Sequence, residues 1–407
     1  MDLGLSEEQE LLKNSAREFL EKECPEEHVR AMEEDEKGYS PDLWKKMADL
    51  GWQGLMVPEN YGGAGFSFLD LCVLVEETGR ALLPGPFIPN QIAASILLAA
   101  GSDDQKAKYL PKLADGSAIF TYAFTEPSGR WDEQGVQMAA TANGSDFVLN
   151  GTKLFVPDAN VADYIITAVT LPGGGMGAAV VARSAVEVTV LKTIASDKQA
   201  EVVFKDVAVA AGDMMTITAE SGRTIRNQAT SLECAYLVGL AQKDFEISVN
   251  YAKERVQFGR PIGSFQAIQH KAADMVTDVD GMRFIMYKAA WATSENEASA
   301  DMDVAMAKAW CSDASRRVVA HGQQIHGGIG FTKDYVIQLF FRRQKRAELF
   351  WGDGDFHRER VDRAILRADD HKVLPDGWRR RDAALGRVLP AELAALAVER
   401  VQVRVVA

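Results

Sequence analysis

The amino-acid sequence predicts an α+β protein with an N-terminal helical domain, a middle β domain of barrel-like or sandwich form, and a C-terminal four-helix bundle. Three observations lead there. Apolar residues recur at helical spacing through residues 1–118. Residues 119–212 are dominated by short β-branched segments separated by Gly, Asn, Asp and Pro. Residues 213–370 return to helical spacing in longer runs, and 371–407 read as a separate tail. At 407 residues the chain exceeds what one core usually serves, so two or three domains are expected.

In the first region Ser6 and Gln9 form a capping-box pair ahead of Leu12, Ala16, Phe19 and Leu20. Further helices are predicted over 40–50, 68–83, 90–100 and 103–113. Val57 to Gly65 is a loop dense in breakers. Strands are expected at 147–149, 153–156, 164–169, 178–182, 186–191 and 200–204. The Gly173-Gly-Gly-Met-Gly-Ala178 run matches a dinucleotide fingerprint by letter. Strand-like residues follow it rather than a helix, so a hairpin turn is the better reading. The third region predicts helices over 223–255, 266–294, 301–324, 334–350 and 359–368. The tail carries a Pro-Asp-Gly turn, Arg379-Arg-Arg381 and an apolar helix at 391–401.

Composition excludes some functions. Apolar residues make up 47% and charged residues 25%, which argues against dominant disorder. A net charge of −13 argues against nucleic acid as the main partner. It leaves room for an anionic small ligand in a local basic pocket. Cys24, Cys72, Cys234 and Cys311 are scattered, with no metal-binding or redox spacing. No apolar run is long enough for a membrane span, and Met1–Glu8 shows no basic-then-apolar leader, so a cytoplasmic protein is expected.

Four segments carry chemistry. They are Tyr122-Ala-Phe-Thr125-Glu-Pro127, Asn150-Gly-Thr-Lys153, Tyr251 through Phe258-Gly-Arg-Pro261 with Phe265-Gln266, and Gln324-Ile-His326-Gly327-Gly328-Ile-Gly330-Phe331. Read locally, each has a plainer alternative. Thr125-Glu-Pro127 is also a strand-ending turn. Arg255 is also a solvated helix end. Gly327-Gly328 is equally a phosphate-binding nest or a helix C-cap. His326 is more simply a structural histidine.

Taken in order, the set resembles the flavin-dependent acyl-CoA dehydrogenases over about residues 1–370. The resemblance implies FAD as cofactor, an acyl-CoA substrate and an electron-transfer flavoprotein as acceptor. It also implies a homotetramer or an α2β2 heterotetramer. It puts Tyr122, Phe124 and Thr125 at the polar edge of the flavin and Phe155 over its ring. Arg255 falls on the pyrophosphate, with Gln257 and Phe258 beside the cofactor. Gln266, Gln324, Gly327 and Gly328 complete the set. The implied reaction removes an α-proton with a carboxylate and passes a β-hydride to flavin N5.

The chain departs from the family pattern at three places. In Phe350-Trp351-Gly352-Asp353-Gly354-Asp355-Phe356-His357-Arg358, Trp351 stands where the family carries its glutamate base. An indole cannot be that base, although the Trp351 backbone N–H could donate to the thioester oxygen. The family's second base position falls on Ala229. Glu233, one helical turn further, is the only charged residue between Asn227 and Gln242 and is the candidate base. Asp353 and Asp355 read as solvated turn formers. Pro157 replaces a hydroxyl residue beside flavin N5, leaving the Val156 backbone or Asp158 to compensate. Arg130-Trp131 replaces Gly-Ser near the pantetheine, so Trp131 and Gly352 are the substrate-side positions.

This variant looks like the subgroup found in bacterial breakdown of steroid, branched or aromatic acyl-CoAs. Two other roles stay open at this level: an FAD-holding partner subunit without its own base, or a family member with different CoA-thioester chemistry.

Overall fold

The computed structural model describes residues 4–369, and the predicted tail helix at 391–401 lies outside them. Residues up to Arg358 form one compact unit.

Six helices open the chain: α1 (Glu7–Glu23), α2 (Glu26–Glu34), α3 (Pro41–Asp49), α4 (Phe68–Arg80), α5 (Phe87–Ala100) and α6 (Asp103–Ala114). The Ser6–Gln9 capping box forms, and Ser67 and Ser102 build the same device at α4 and α6. Helix α2 was not expected. Pro25 precedes it, and it is short, with Val29 alone of its nine residues buried.

The middle region holds two four-stranded sheets. One orders β1 (Phe120–Ala123), β4 (Tyr164–Thr170), β5 (Met176–Ala182) and β8 (Met214–Ile217). The other orders β2 (Ala140–Asn143), β3 (Asp146–Pro157), β7 (Gln199–Val209) and β6 (Glu187–Leu191). The strands expected at 147–149 and 153–156 are parts of β3, which bulges against β7 between Lys153 and Val156. Gly173, Gly174 and Gly175 all have positive φ in the β4–β5 hairpin, as the hairpin-turn reading expects.

Helices α7 (Ala219–Glu254), α8 (Gln266–Ser294), α9 (Ala300–His326) and α10 (Ile337–Leu349) pack as a bundle. A short ribbon of β9 (Val256–Gln257) and β10 (Arg260–Pro261) joins α7 to α8, and α11 (Gly354–Asp369) follows α10. All four cysteines are buried and free. No helix among the described residues is long and apolar enough to cross a membrane.

Helix α7 also locks the bundle to the N-terminal helices. It crosses α4 at Gly239 and Gly79. A Cβ on Gly239 would sit 1.7 Å from the Glu76 carbonyl oxygen, and one on Gly79 would sit 2.1 Å from that of Tyr236. Neither backbone can yield without separating the helices. We therefore expect Gly239→Ala to destabilise the chain by about 3 kcal/mol or more in urea unfolding. A change below about 1 kcal/mol would contradict this contact.

Candidate active site

The β1 strand and the turn after α10 bring the first candidates together. Tyr122, Phe124, Trp131 and Trp351 form an aromatic cluster, with Trp351 at 5.3, 5.6 and 5.7 Å from the other three ring centres. The Trp351 Nε1–H donates to the Tyr122 hydroxyl at 3.1 Å. Trp351 has φ +59, a region that bulky residues seldom occupy, and Gly352 follows at φ +93. Contacts from two elements hold this turn. Lys308 Nζ donates to the carbonyls of Ala347 (3.0 Å) and Glu348 (2.8 Å) at the end of α10, where a cation suits the helix dipole. His357 Nε2 meets the Trp351 carbonyl at 2.8 Å. The Trp351 backbone N–H has no hydrogen-bond partner among the described residues, as a donor reserved for a ligand requires. These rings line an apolar pocket whose single acid, Glu133, is exposed; Arg226 lies on the same wall.

The Thr125-Glu-Pro turn is pinned from inside. Glu126 accepts the N–H groups of Gln137 and Met138 and pairs with buried Lys153 Nζ at 2.7 Å. Burial pulls the Lys153 ammonium down to about 8 against the opposing pull of Glu126. The Thr125 carbonyl accepts from Leu154 N–H, while the hydroxyl of this largely buried residue has no partner among the described residues. The next residue after Leu154, Phe155, has φ +55 and a ring that is half exposed. An unused buried hydroxyl beside an uncovered ring fits the polar edge and face of a flavin.

Arg255 caps α7 and its exposed guanidinium has no ion pair among the described residues. Gln257 and Phe258 stand on the same exposed ribbon, and Phe258 is 91% exposed at φ +54. Gln266 opens α8, also exposed. An unpaired cation beside bare aromatic surface fits a phosphate-bearing cofactor whose other contacts come from outside this chain.

The C-terminal glycines need a correction. The Gly327 N–H donates to the carbonyls of Gln323 and Gln324, so it closes α9 rather than standing free for a phosphate. Its backbone, φ +60 and ψ −135, is one that glycine adopts without strain. Gln324 and Gly328 remain exposed. His326 is structural, with Nδ1 on the Gly322 carbonyl at 2.8 Å and its ring stacked on Tyr251 at 4.3 Å.

Glu233 is fully buried on α7, but it is not a free carboxylate. Arg346 Nη1 lies 2.9 and 3.0 Å from its two oxygens. Arg346 Nε also faces Asp197 at 3.4 Å, and the guanidinium lies over the rings of Tyr236 and Phe350. Burial raises the Glu233 carboxyl, with Arg346 pulling the other way. The expected isolated base is thus one half of an internal ion pair.

One group, Arg346, escaped the sequence reading, and a second, Asp158, shows more than it indicated. Arg346 reads as one more basic residue in a charged helix, because its partner is far away in the chain. Asp158 was expected near the flavin. It has φ +51 and lines a second, polar cavity with Glu233, Arg346, Asp197, Tyr122 and Tyr236. Burial pushes the Asp158 carboxyl up to about 7, helped by nearby Asp197.

Comparisons with known proteins identify the family of the chain. Family models match residues 6–117 (acyl-CoA dehydrogenase, N-terminal domain), 121–207 (middle domain) and 227–366 (C-terminal domain). The chain belongs to the acyl-CoA dehydrogenase family, a family of oxidoreductases. It is 32% identical to the probable acyl-CoA dehydrogenase YngJ of Bacillus subtilis, over 90% of this chain and 100% of that one. It superposes on a chain of the ChsE4-ChsE5 complex from Mycobacterium tuberculosis with TM-score 0.83 and 27% identity, covering 90% of this chain and 99% of that one. An acyl-CoA dehydrogenase from Bacillus anthracis, solved with FAD, matches with TM-score 0.82 and 26% identity, over 89% of this chain and 67% of that one.

Two outcomes follow for the buried charges. Arg346→Met leaves Glu233 buried without a partner and should lose about 3–5 kcal/mol in urea unfolding, most of it restored by adding Glu233→Leu. Equal loss in single and double variants would contradict the pairing. Asp158 holds its proton more tightly folded than unfolded. The native chain is therefore favoured at low pH and loses that advantage as pH rises from about 4 to about 7. Asp158→Asn removes this term, so it should melt above the native chain at pH 8, by a margin that shrinks as pH falls toward 4. A pH-independent difference would contradict it.

Proposed function

We propose that this chain is a subunit of a flavin-dependent acyl-CoA dehydrogenase. It brings FAD-binding and thioester-facing groups to a site whose α-proton base comes from a second chain. The observation that carries this is Trp351. By the family resemblance it stands at the position of the base as an indole held by Tyr122, while the candidate base, Glu233, is engaged by Arg346.

FAD, when bound, would supply the acceptor for the hydride that leaves the acyl β-carbon. The residues of this chain have separate tasks. The Thr125 hydroxyl would donate to the polar edge of the cofactor, the Phe155 ring would cover its face, and Arg255 would fork onto a phosphate. The unpartnered Trp351 N–H would donate to the thioester oxygen and stabilise the charge that develops there when the α-proton leaves. The Tyr122, Phe124, Trp131 and Trp351 rings would keep water away from the reacting carbons. Electrons would then pass to an electron-transfer flavoprotein. A two-chain assembly draws support from the related ChsE4-ChsE5 complex, in which two named chains are found together.

A second reading has one observation in its favour. Glu233 lines the polar cavity, so release from Arg346 would free a base in this chain itself. One experiment separates the two. The full chain alone, supplied with FAD and a CoA thioester without oxygen, should leave the flavin absorbance unbleached, and coexpression with the second chain should restore bleaching. Bleaching by the chain alone, lost in Glu233→Gln with FAD retained, would establish the second reading. Arg255→Gln should reduce the FAD that copurifies with the assembly by about tenfold without changing its melting behaviour in the absence of FAD.

A further inference from the structure

The polar cavity holds a buried acid, Asp158, only 7% exposed, whose side chain has no hydrogen-bond or ion-pair partner among the described residues. Other buried acids of this chain are engaged: Glu126 by Lys153, Glu233 by Arg346, and Glu76 by Lys13, Arg283 and Tyr287. Arg346, Arg343 and Lys198 offset part of the desolvation cost of this carboxyl through space, but none of them hydrogen-bonds it. Its backbone is also held in a left-handed conformation at φ +51. Strain and desolvation together at one residue point to a ligand group that completes its hydrogen bonding.

The cavity adjoins the aromatic pocket. Tyr122 lines both, and Phe350, on the polar wall, precedes Trp351 on the apolar one. A ligand held against Trp351 and Tyr122 therefore has this cavity as its continuation. The far walls are apolar where α5 begins, at Leu83, Pro84, Phe87 and Ile88. The charged lining is balanced. Asp158, Asp197 and Glu233 are matched by Lys198, Arg343 and Arg346, so neither an anionic nor a cationic end is favoured. A neutral hydrogen-bond donor at the end of an otherwise apolar group meets both conditions.

We propose that the acyl group of this chain's CoA thioester carries a hydroxyl, that its apolar part lies along the α5 wall, and that Asp158 accepts the hydroxyl hydrogen. This rests on the acyl-CoA reading given above and specifies its substrate class. Asp158 would be a specificity-determining residue, with no part in moving electrons.

The test uses the holo assembly with FAD. It measures by calorimetry the binding of a ladder of ω-hydroxyacyl-CoA thioesters, each against its unsubstituted twin. At pH 8, above the titration of Asp158, the hydroxylated compound should at one chain length bind about tenfold more tightly, the effect of one hydrogen bond to a charged acceptor. Asp158→Gly adopts φ +51 without strain and should abolish the preference while leaving the unsubstituted twin bound as before. Asp158→Asn, which keeps a neutral acceptor and tolerates the same backbone, should narrow it to about twofold to threefold. Equal binding of twins at every length, or a preference that survives Asp158→Gly, overturns the inference and leaves a water-filled structural cavity. Binding of neither kind of thioester overturns the acyl-CoA reading, and this inference with it.

Discussion

The arrangement turns on one cation, Arg346. It sits near the end of α10 and reaches Glu233 on α7 and Asp197 in the loop before β7, between two aromatic rings. Arg342 and Arg343 extend the same basic face. Arg342 holds Glu33 on α2 and the Ser196 hydroxyl, and Arg343 donates to the Leu82 carbonyl. One short helix thus bonds to the N-terminal helices, the β region and the central helix. The turn that carries Trp351 follows directly. Its position depends on α10 being anchored by these ion pairs and by Lys308 at its end.

That anchoring has a chemical consequence. Breaking a buried ion pair by removing one member leaves an uncompensated charge, so each member constrains the other. Glu233 is needed to hold Arg346, and Arg346 keeps Glu233 from acting as an isolated base. A carboxylate serves as a base when it is dry, close and unengaged. Glu233 is dry, but it is engaged. Trp351 contributes the opposite: no titratable group, but a backbone N–H left open by a strained turn. On the proposed reading, these groups would bind and polarise a thioester, and the α-proton would leave to a base from outside this chain.

Much of the fold was legible in the residues. Capping boxes, breakers and the change from helical to alternating periodicity gave most helices and strands to within a few residues. Helix α2 was not legible because it spans only nine residues with three apolar side chains, and β1, β2 and β8 because four residues carry too little pattern. The Thr125, Arg255 and Trp351 segments could be found because their neighbours in sequence carry the signal. The Arg346–Glu233 pair could not, because two helices far apart in the chain create it. The Gly327 turn was ambiguous for a related reason: a phosphate nest and a helix cap use the same residues, and only the direction of one N–H separates them. Asp158 was read as a flavin neighbour from its place after Phe155. Its backbone is left-handed, and it lines the polar cavity that shares Tyr122 with the aromatic pocket.

The central claim is that this chain has no α-proton base of its own. Exchange of the α-hydrogen of a CoA thioester for solvent deuterium reads such a base directly, without requiring electron transfer. The full chain with FAD, incubated with the thioester in deuterated water, should show exchange no faster than the solution background, and addition of the second chain should start it. Exchange catalysed by the chain alone, and removed by Glu233→Gln, would contradict the account.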